Sequence, residues 1–223
     1  MSGPATRHLP HLMTPGPTLV LACPVCGALV RQRSLASGNT FGATLWSDGR
    51  FDAPMLPDAP ALALCAGGHW FWLADAAEVG EHHWFRPDPD TVTPPEWDDA
   101  PFAEDLDGDG YAAALAAGLG STRDREAHLR LRLWWASNDA HRGTGTPPTP
   151  DLDNLRRLQS LFTRGRSERG EPVLHAAVAH ALGERDAALD ALARSSLPPD
   201  MNAAFQTLVS EADLRVTALS GSS

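Results

Sequence analysis

The chain has 223 residues, 43% of them hydrophobic, which is enough to bury a core in one domain or in two small ones. Its formal charge is −10, but the acidity is local: residues 86–111 hold nine acids and one arginine, whereas residues 112–223 hold thirteen of each sign. Neither globular half carries the net positive charge expected of a general nucleic-acid binder, and no run approaches the roughly 18 apolar residues of a membrane span. The N-terminus has no apolar core of signal-peptide length, so the expected location is cytoplasmic.

Residues 1–17 contain four prolines and two glycines and predict an irregular lead-in. A β-rich domain is expected over residues 18–85. Thr18 to Ala22 reads as a strand entering a cysteine turn and Ala28 to Arg33 as the strand leaving it. Phe41 to Trp46 and Arg50 to Met55 flank a Ser47-Asp48-Gly49 turn, Ala61 to Leu64 enters a second cysteine turn, and His69 to Leu73 leaves it. Residues 86–109, dense in proline and aspartate, predict an acidic linker without regular helix or interior strand. From 110 to 223 the periodicity is helical, interrupted by GTGTPPTP at 143–150. Asp151 is placed to cap a helix whose Leu152, Leu155, Leu158 and Leu161 form one stripe. Residues 175–194 resemble the inner part of a tetratricopeptide repeat, with Gly183 at the turn; an ordinary helical hairpin within a small bundle is the competing reading. The fold class expected is therefore α+β, a zinc-ribbon-like β domain followed by an all-α domain of hairpin, bundle or tetratricopeptide-like character.

The chain's only cysteines are Cys23, Cys26 and Cys65, and with His69 they form two half-sites, CPVCG and CAGGH, with 38 residues between Cys26 and Cys65. A structural zinc takes four thiolate or imidazole donors in a tetrahedron, two from each of two tight turns. A redox CxxC sits at a helix N-terminus, whereas Gly27 and the β-prone Leu29-Val30 follow this one, so metal is the better reading. The metal ligands expected are Cys23, Cys26, Cys65 and His69, holding a structural zinc. The alternative is a ribbon that keeps its fold through Trp70, Phe71 and Trp72 without metal.

The order CPVCG, SGNTFGATLWSDG and a second cysteine turn running into aromatics resembles a group of uncharacterised bacterial proteins. These pair a CPxCG…CPxCG zinc ribbon with a C-terminal helical, repeat-like region. The likeness is strong over residues 19–77 and loose beyond. It implies that Cys23, Cys26 and Cys65 are ligands and that Gly68 stands where the pattern has its fourth cysteine. It implies no activity.

The remaining motifs support several chemistries weakly. Phe41 and Trp46, among permissive glycines at 37–49, offer aromatic contacts to a partner or cover a small core. Asp105-x-Asp107-x-Asp109-Gly110 copies half of a calcium loop but has Ala116 at its twelfth position, and a helix cap explains it better. His82-His83, near Asp75, Glu78 and Glu81, suggests a catalytic metal without any HExxH. Arg156, Arg157, Arg164, Arg166 and Arg169 form a basic cluster, and the common nucleotide and hydrolase signatures are absent.

With no catalytic residues assigned, the expected function is a non-enzymatic binding or adaptor protein whose partner is another protein. The alternatives are a metal-dependent hydrolase or transferase using His82 and His83, and a nucleic-acid-binding ribbon using Arg31, Arg33 and Arg50.

Overall fold

The computed structural model of the protein describes residues 13–82, 94–162 and 171–219. The fold is α+β, with antiparallel sheet in the N-terminal part and helices towards the C-terminus. It divides into two compact units, one within Met1–Ala43 and Ala53–Asp105, the other formed by Thr44–Asp52 and the chain within Leu106–Ser223.

The first unit is built on a three-stranded antiparallel sheet of order β2-β1-β7, with β1 Thr14–Ala22 in the centre, β2 Leu29–Ser37 on one side and β7 Ala77–His82 on the other. β1 starts well before the expected Thr18. Pro15 and Pro17 are tolerated because the β1–β2 register shifts on either side of Pro15, so neither proline has to donate to an even ladder. β5 Leu62–Leu64 and β6 Trp70–Trp72 form a separate hairpin with Ala63 opposite Phe71. Leu21, Cys23, Val30, Ala63, Cys65, Phe71, Leu73 and Ala103 close together into a core, so two of the cysteines are also packing residues.

The sequence reading leaves β7 out, because Ala77-Glu78-Val79-Gly80-Glu81-His82 has one β-branched residue and no buried alternate face. Gly80 is required there: a Cβ would lie 2.2 Å from the Trp97 ring. Trp97 belongs to α1 Pro95–Asp99, a short helix inside the stretch expected to be an unstructured linker; proline at its first turn is compatible with a helix start. Three residues beyond α1, Phe102 bridges Arg31 in parallel, with the Arg31 N–H donating to Pro101 O at 2.8 Å and the Ala103 N–H to Arg31 O at 2.7 Å. The expected linker thus contributes an element and a core residue to this unit.

The second unit holds α2 Gly108–Ala116, α3 Arg123–Asp139, α4 Leu152–Phe162, α5 Glu171–Ala181, α6 Arg185–Ala193 and α7 Pro199–Glu211. Asp107 caps α2 by accepting from the Gly110 N–H at 2.8 Å, and Asp151 caps α4 by accepting from the N–H groups of Asp153 and Asn154. Gly183, at φ +76°, makes the turn between α5 and α6, whose Ala176, Ala179, Ala188 and Ala191 are buried in close helix contact. Leu155, Leu158, Val178, Leu192 and Phe205 complete the core.

The hairpin β3 Thr44–Leu45 and β4 Phe51–Asp52, expected in the N-terminal β domain, belongs to this helical unit instead. Trp46 bridges Ala218, the Ser47 N–H donates to Thr217 O at 2.9 Å, and the Leu219 N–H donates to Leu45 O at 2.8 Å. At the tip, Asp48 is 4% exposed. Its carboxylate accepts from Arg142 at 2.9 and 2.7 Å and from Asn138 at 2.8 Å, and its carbonyl accepts from the Trp135 indole at 3.1 Å. The hairpin is short because its backbone groups are satisfied by the chain's C-terminal segment rather than by a long ladder.

Candidate metal centre

Two tight turns in the first unit carry the four donors. Cys23 follows the last residue of β1, and the turn back to β2 is closed by the Cys23 N–H donating to Ala28 O and the Gly27 N–H to Cys23 O, both at 2.9 Å. Gly27, at φ +74°, takes the left-handed position immediately after Cys26. In the second turn the Gly68 N–H donates to Cys65 O at 2.8 Å and the Cys65 N–H to His69 O at 3.1 Å. Here the left-handed position is Gly68 itself, at φ +78°. A cysteine at 68 would have to adopt that strained conformation, whereas His69, the next residue, brings its ring Nδ1 to 3.7 Å from Cys65 Sγ.

The donor atoms of Cys23, Cys26, Cys65 and His69 lie within 4.8 Å of one another. Cys26 Sγ is 3.5 Å from Cys65 Sγ, and Cys65 Sγ is 3.7 Å from His69 Nδ1. A tetrahedral ion with ordinary zinc–sulfur and zinc–nitrogen bonds requires edges of about 3.5–3.8 Å; these two distances match it, and the group as a whole could hold a metal ion. Cys23 and Cys65 are buried and His69 is half-buried, while Cys26 faces solvent. Gly67 packs against the donors: a Cβ there would lie 2.9 Å from Cys26 Sγ and 3.2 Å from His69 Nδ1. The Gly-Gly step before His69 was the available signal for this close approach, and reading the ligand spacing alone misses it.

The acidities of Cys65 and Cys26 shift in opposite directions. Burial raises the Cys65 pKa, but the His69 backbone N–H, its ring and the thiols of Cys26 and Cys23 outweigh it, leaving the group at about 6. Cys26 moves the other way: the Ala28 N–H favours its thiolate, and the Cys65 thiol, partial desolvation and Cys23 more than reverse this. A cation binds cysteine as the thiolate, and the lowered Cys65 pKa favours that form.

Among the described residues this is the one group of three or more His, Cys, Asp or Glu side chains close enough to hold a metal ion. Asp75, Glu78 and His82 make no such group; His82 Nδ1 instead lies 3.6 Å from an Asp98 carboxylate oxygen, and His83 falls outside the described residues. The Arg31 and Arg33 guanidinium groups lie 4.2 and 4.1 Å from the centroid of the Phe102 ring, and Arg31 also donates to Ala100 O. Arg50, in the other unit, is paired with Asp52 and Asp139. Of the basic cluster, Arg157 pairs with Glu126 at 2.6 Å and Arg156 faces Asp153 at 3.7 Å, whereas Arg164, Arg166 and Arg169 lie outside the described residues. No helix among the described residues is long and apolar enough to cross a membrane.

Comparison with family models, with curated proteins and with solved structures returns no match.

Proposed function

We propose that the first unit is a zinc-ribbon-like domain holding a structural zinc through Cys23, Cys26, Cys65 and His69, and that the protein acts by binding another protein rather than by catalysis. The observation that carries this reading is the donor count: three sulfurs and one ring nitrogen, all within 4.8 Å of one another, fill a four-coordinate sphere from protein alone. A catalytic zinc keeps a position for water or substrate; here the chain supplies all four ligands, so the ion's contribution is to tie two turns 38 residues apart into one folded unit. The resemblance to bacterial ribbon proteins with helical C-terminal regions supports the same assignment. On this reading the α5–α6 hairpin is a tetratricopeptide-like unit.

A partner surface is supported by apolar side chains left in solvent on the first unit: Phe41 is 73% exposed and Val25, at the tip of the first cysteine turn, 63%. X-ray absorption of the zinc-loaded protein tests the metal assignment; three sulfur and one nitrogen scatterers are expected, and a coordinated water overturns the structural role. Native purification tests the adaptor role. A partner recovered at stoichiometric amount should be lost on Val25→Asp or Phe41→Asp with metal content unchanged, and recovery of no stoichiometric partner counts against the role.

A further inference from the structure

The four ligands are not equivalent. Cys23 and Cys65 are each 3% exposed, whereas Cys26 is open to solvent, and its sulfur touches that of Cys65 at 3.5 Å. An oxidant arriving from solvent therefore meets Cys26 first, with a second sulfur already at its back. We infer that Cys26 is a site of oxidation by hydroperoxides and that Cys65 resolves it, exchanging the bound metal for a Cys26–Cys65 disulfide. The inference rests on the reading of the four residues as a metal site.

The chemistry balances with the hydroperoxide as the only co-reactant. In the metal-loaded protein Cys26, as a ligand, is a thiolate; it attacks the peroxide oxygen, an S–O bond forms, the O–O bond breaks, and the alkoxide or hydroxide leaves and takes up a proton. The Cys65 thiolate then attacks the Cys26 sulfur; the S–S bond forms, the S–O bond breaks, and hydroxide departs as water after taking up a second proton. Two electrons pass from the sulfur pair to the peroxide. Only Cys23 and His69 remain as donors, too few for a structural ion, so the metal is released.

The consequence is specific to this pairing. Cys26 belongs to the turn between β1 and β2, and Cys65 to the turn between β5 and β6. A disulfide between them ties together the same two turns that the metal ties, so the oxidised unit keeps its fold. A Cys23–Cys26 disulfide, confined to one turn, would lose the metal and leave the second turn unfastened.

The test uses the full-length zinc-loaded protein titrated with hydrogen peroxide. Zinc release is followed with a chromophoric chelator, and the linkage is read by non-reducing peptide mapping. Cleavage after arginine leaves Cys23 and Cys26 on one peptide and Cys65 on another, and fragmentation separates Cys26–Cys65 from Cys23–Cys65. The expected result is zinc release in step with the Cys26–Cys65 link, reversal of both by dithiothreitol and fresh zinc, and an unchanged protease-resistant first unit. In Cys65→Ser, Cys26 should instead accumulate as a sulfenic acid trapped by dimedone. Zinc retained under excess peroxide, a Cys23–Cys26 link, or trapping at Cys23 in Cys65→Ser would overturn the inference. Should the protein bind no zinc at all, the metal reading fails by itself, and the same peptide map on the metal-free chain still decides the linkage.

Discussion

Replacing Asp48 by alanine removes the buried carboxylate that pairs with Arg142 in the helical unit. The Asp48 and Arg142 side chains are 3% and 9% exposed, and Asn138 is 2% exposed, so truncation leaves a buried guanidinium and a buried amide without their principal acceptor. Breaking a buried pair from one side costs roughly 3–5 kcal/mol, and an orphaned buried amide about 1–3 kcal/mol more when fully felt. Asp139 still accepts from Arg142 Nε at 2.8 Å, which places the expected loss at about 3–4 kcal/mol. Asp139→Ala should cost less than about 1 kcal/mol, because that carboxylate is 49% exposed and solvent screens its pairs. Guanidinium denaturation followed by the helical circular dichroism signal reads both. Adding Arg142→Met to Asp48→Ala should recover part of the loss by removing the uncompensated charge. Equal effects of Asp48→Ala and Asp139→Ala, or no recovery in the double variant, would refute the argument that the hairpin is held by a buried ion pair.

Gly67→Ala should weaken zinc affinity by about tenfold or more in a chelator competition, because its Cβ would lie 2.9 Å from Cys26 Sγ and force a ligand to move. Unchanged affinity would show that the second turn does not press on the donors. Glu126 has its pKa held at about 2, below the ordinary value of 4.5, by hydrogen bonds from Arg157 and Arg130 that outweigh its partial burial. A depressed folded-state pKa gives stability that is complete above the unfolded value and is lost as pH falls from 4.5 through 2. The shift alone corresponds to about 3 kcal/mol, which screening at the half-exposed Arg157 reduces to about 1–2 kcal/mol. Acid titration of stability should show that loss in the parent and lack it in Glu126→Gln; identical profiles would remove the pair from the account.

The helices were legible in the chain because their periodicity and caps are local properties: Asp107 and Asp151 cap α2 and α4, and the leucine stripe of α4 is buried at Leu155, Leu158 and Leu161. The two half-sites were legible as short turns for the same reason, and the fold brings Cys23, Cys26, Cys65 and His69 together. What sequence reading missed is long-range. The Ser47-Asp48-Gly49 turn was correctly placed, but its unit was not, because the partners that hold it, Arg142 and Thr217, lie roughly a hundred residues or more away. β7 was missed because it pairs with β1 while presenting almost no buried face, and α1 because its proline-rich approach masks a helix start. His69 was expected as the fourth donor by spacing; that the left-handed turn position just before it falls on Gly68 required the backbone.

Metal content of the purified full-length chain, with Cys23→Ser and His69→Ala alongside, tests the central claim most directly. One tightly held zinc per chain in the parent, lost in both variants, is the predicted result. A folded parent without metal, or a His69→Ala variant that keeps its zinc, would contradict it.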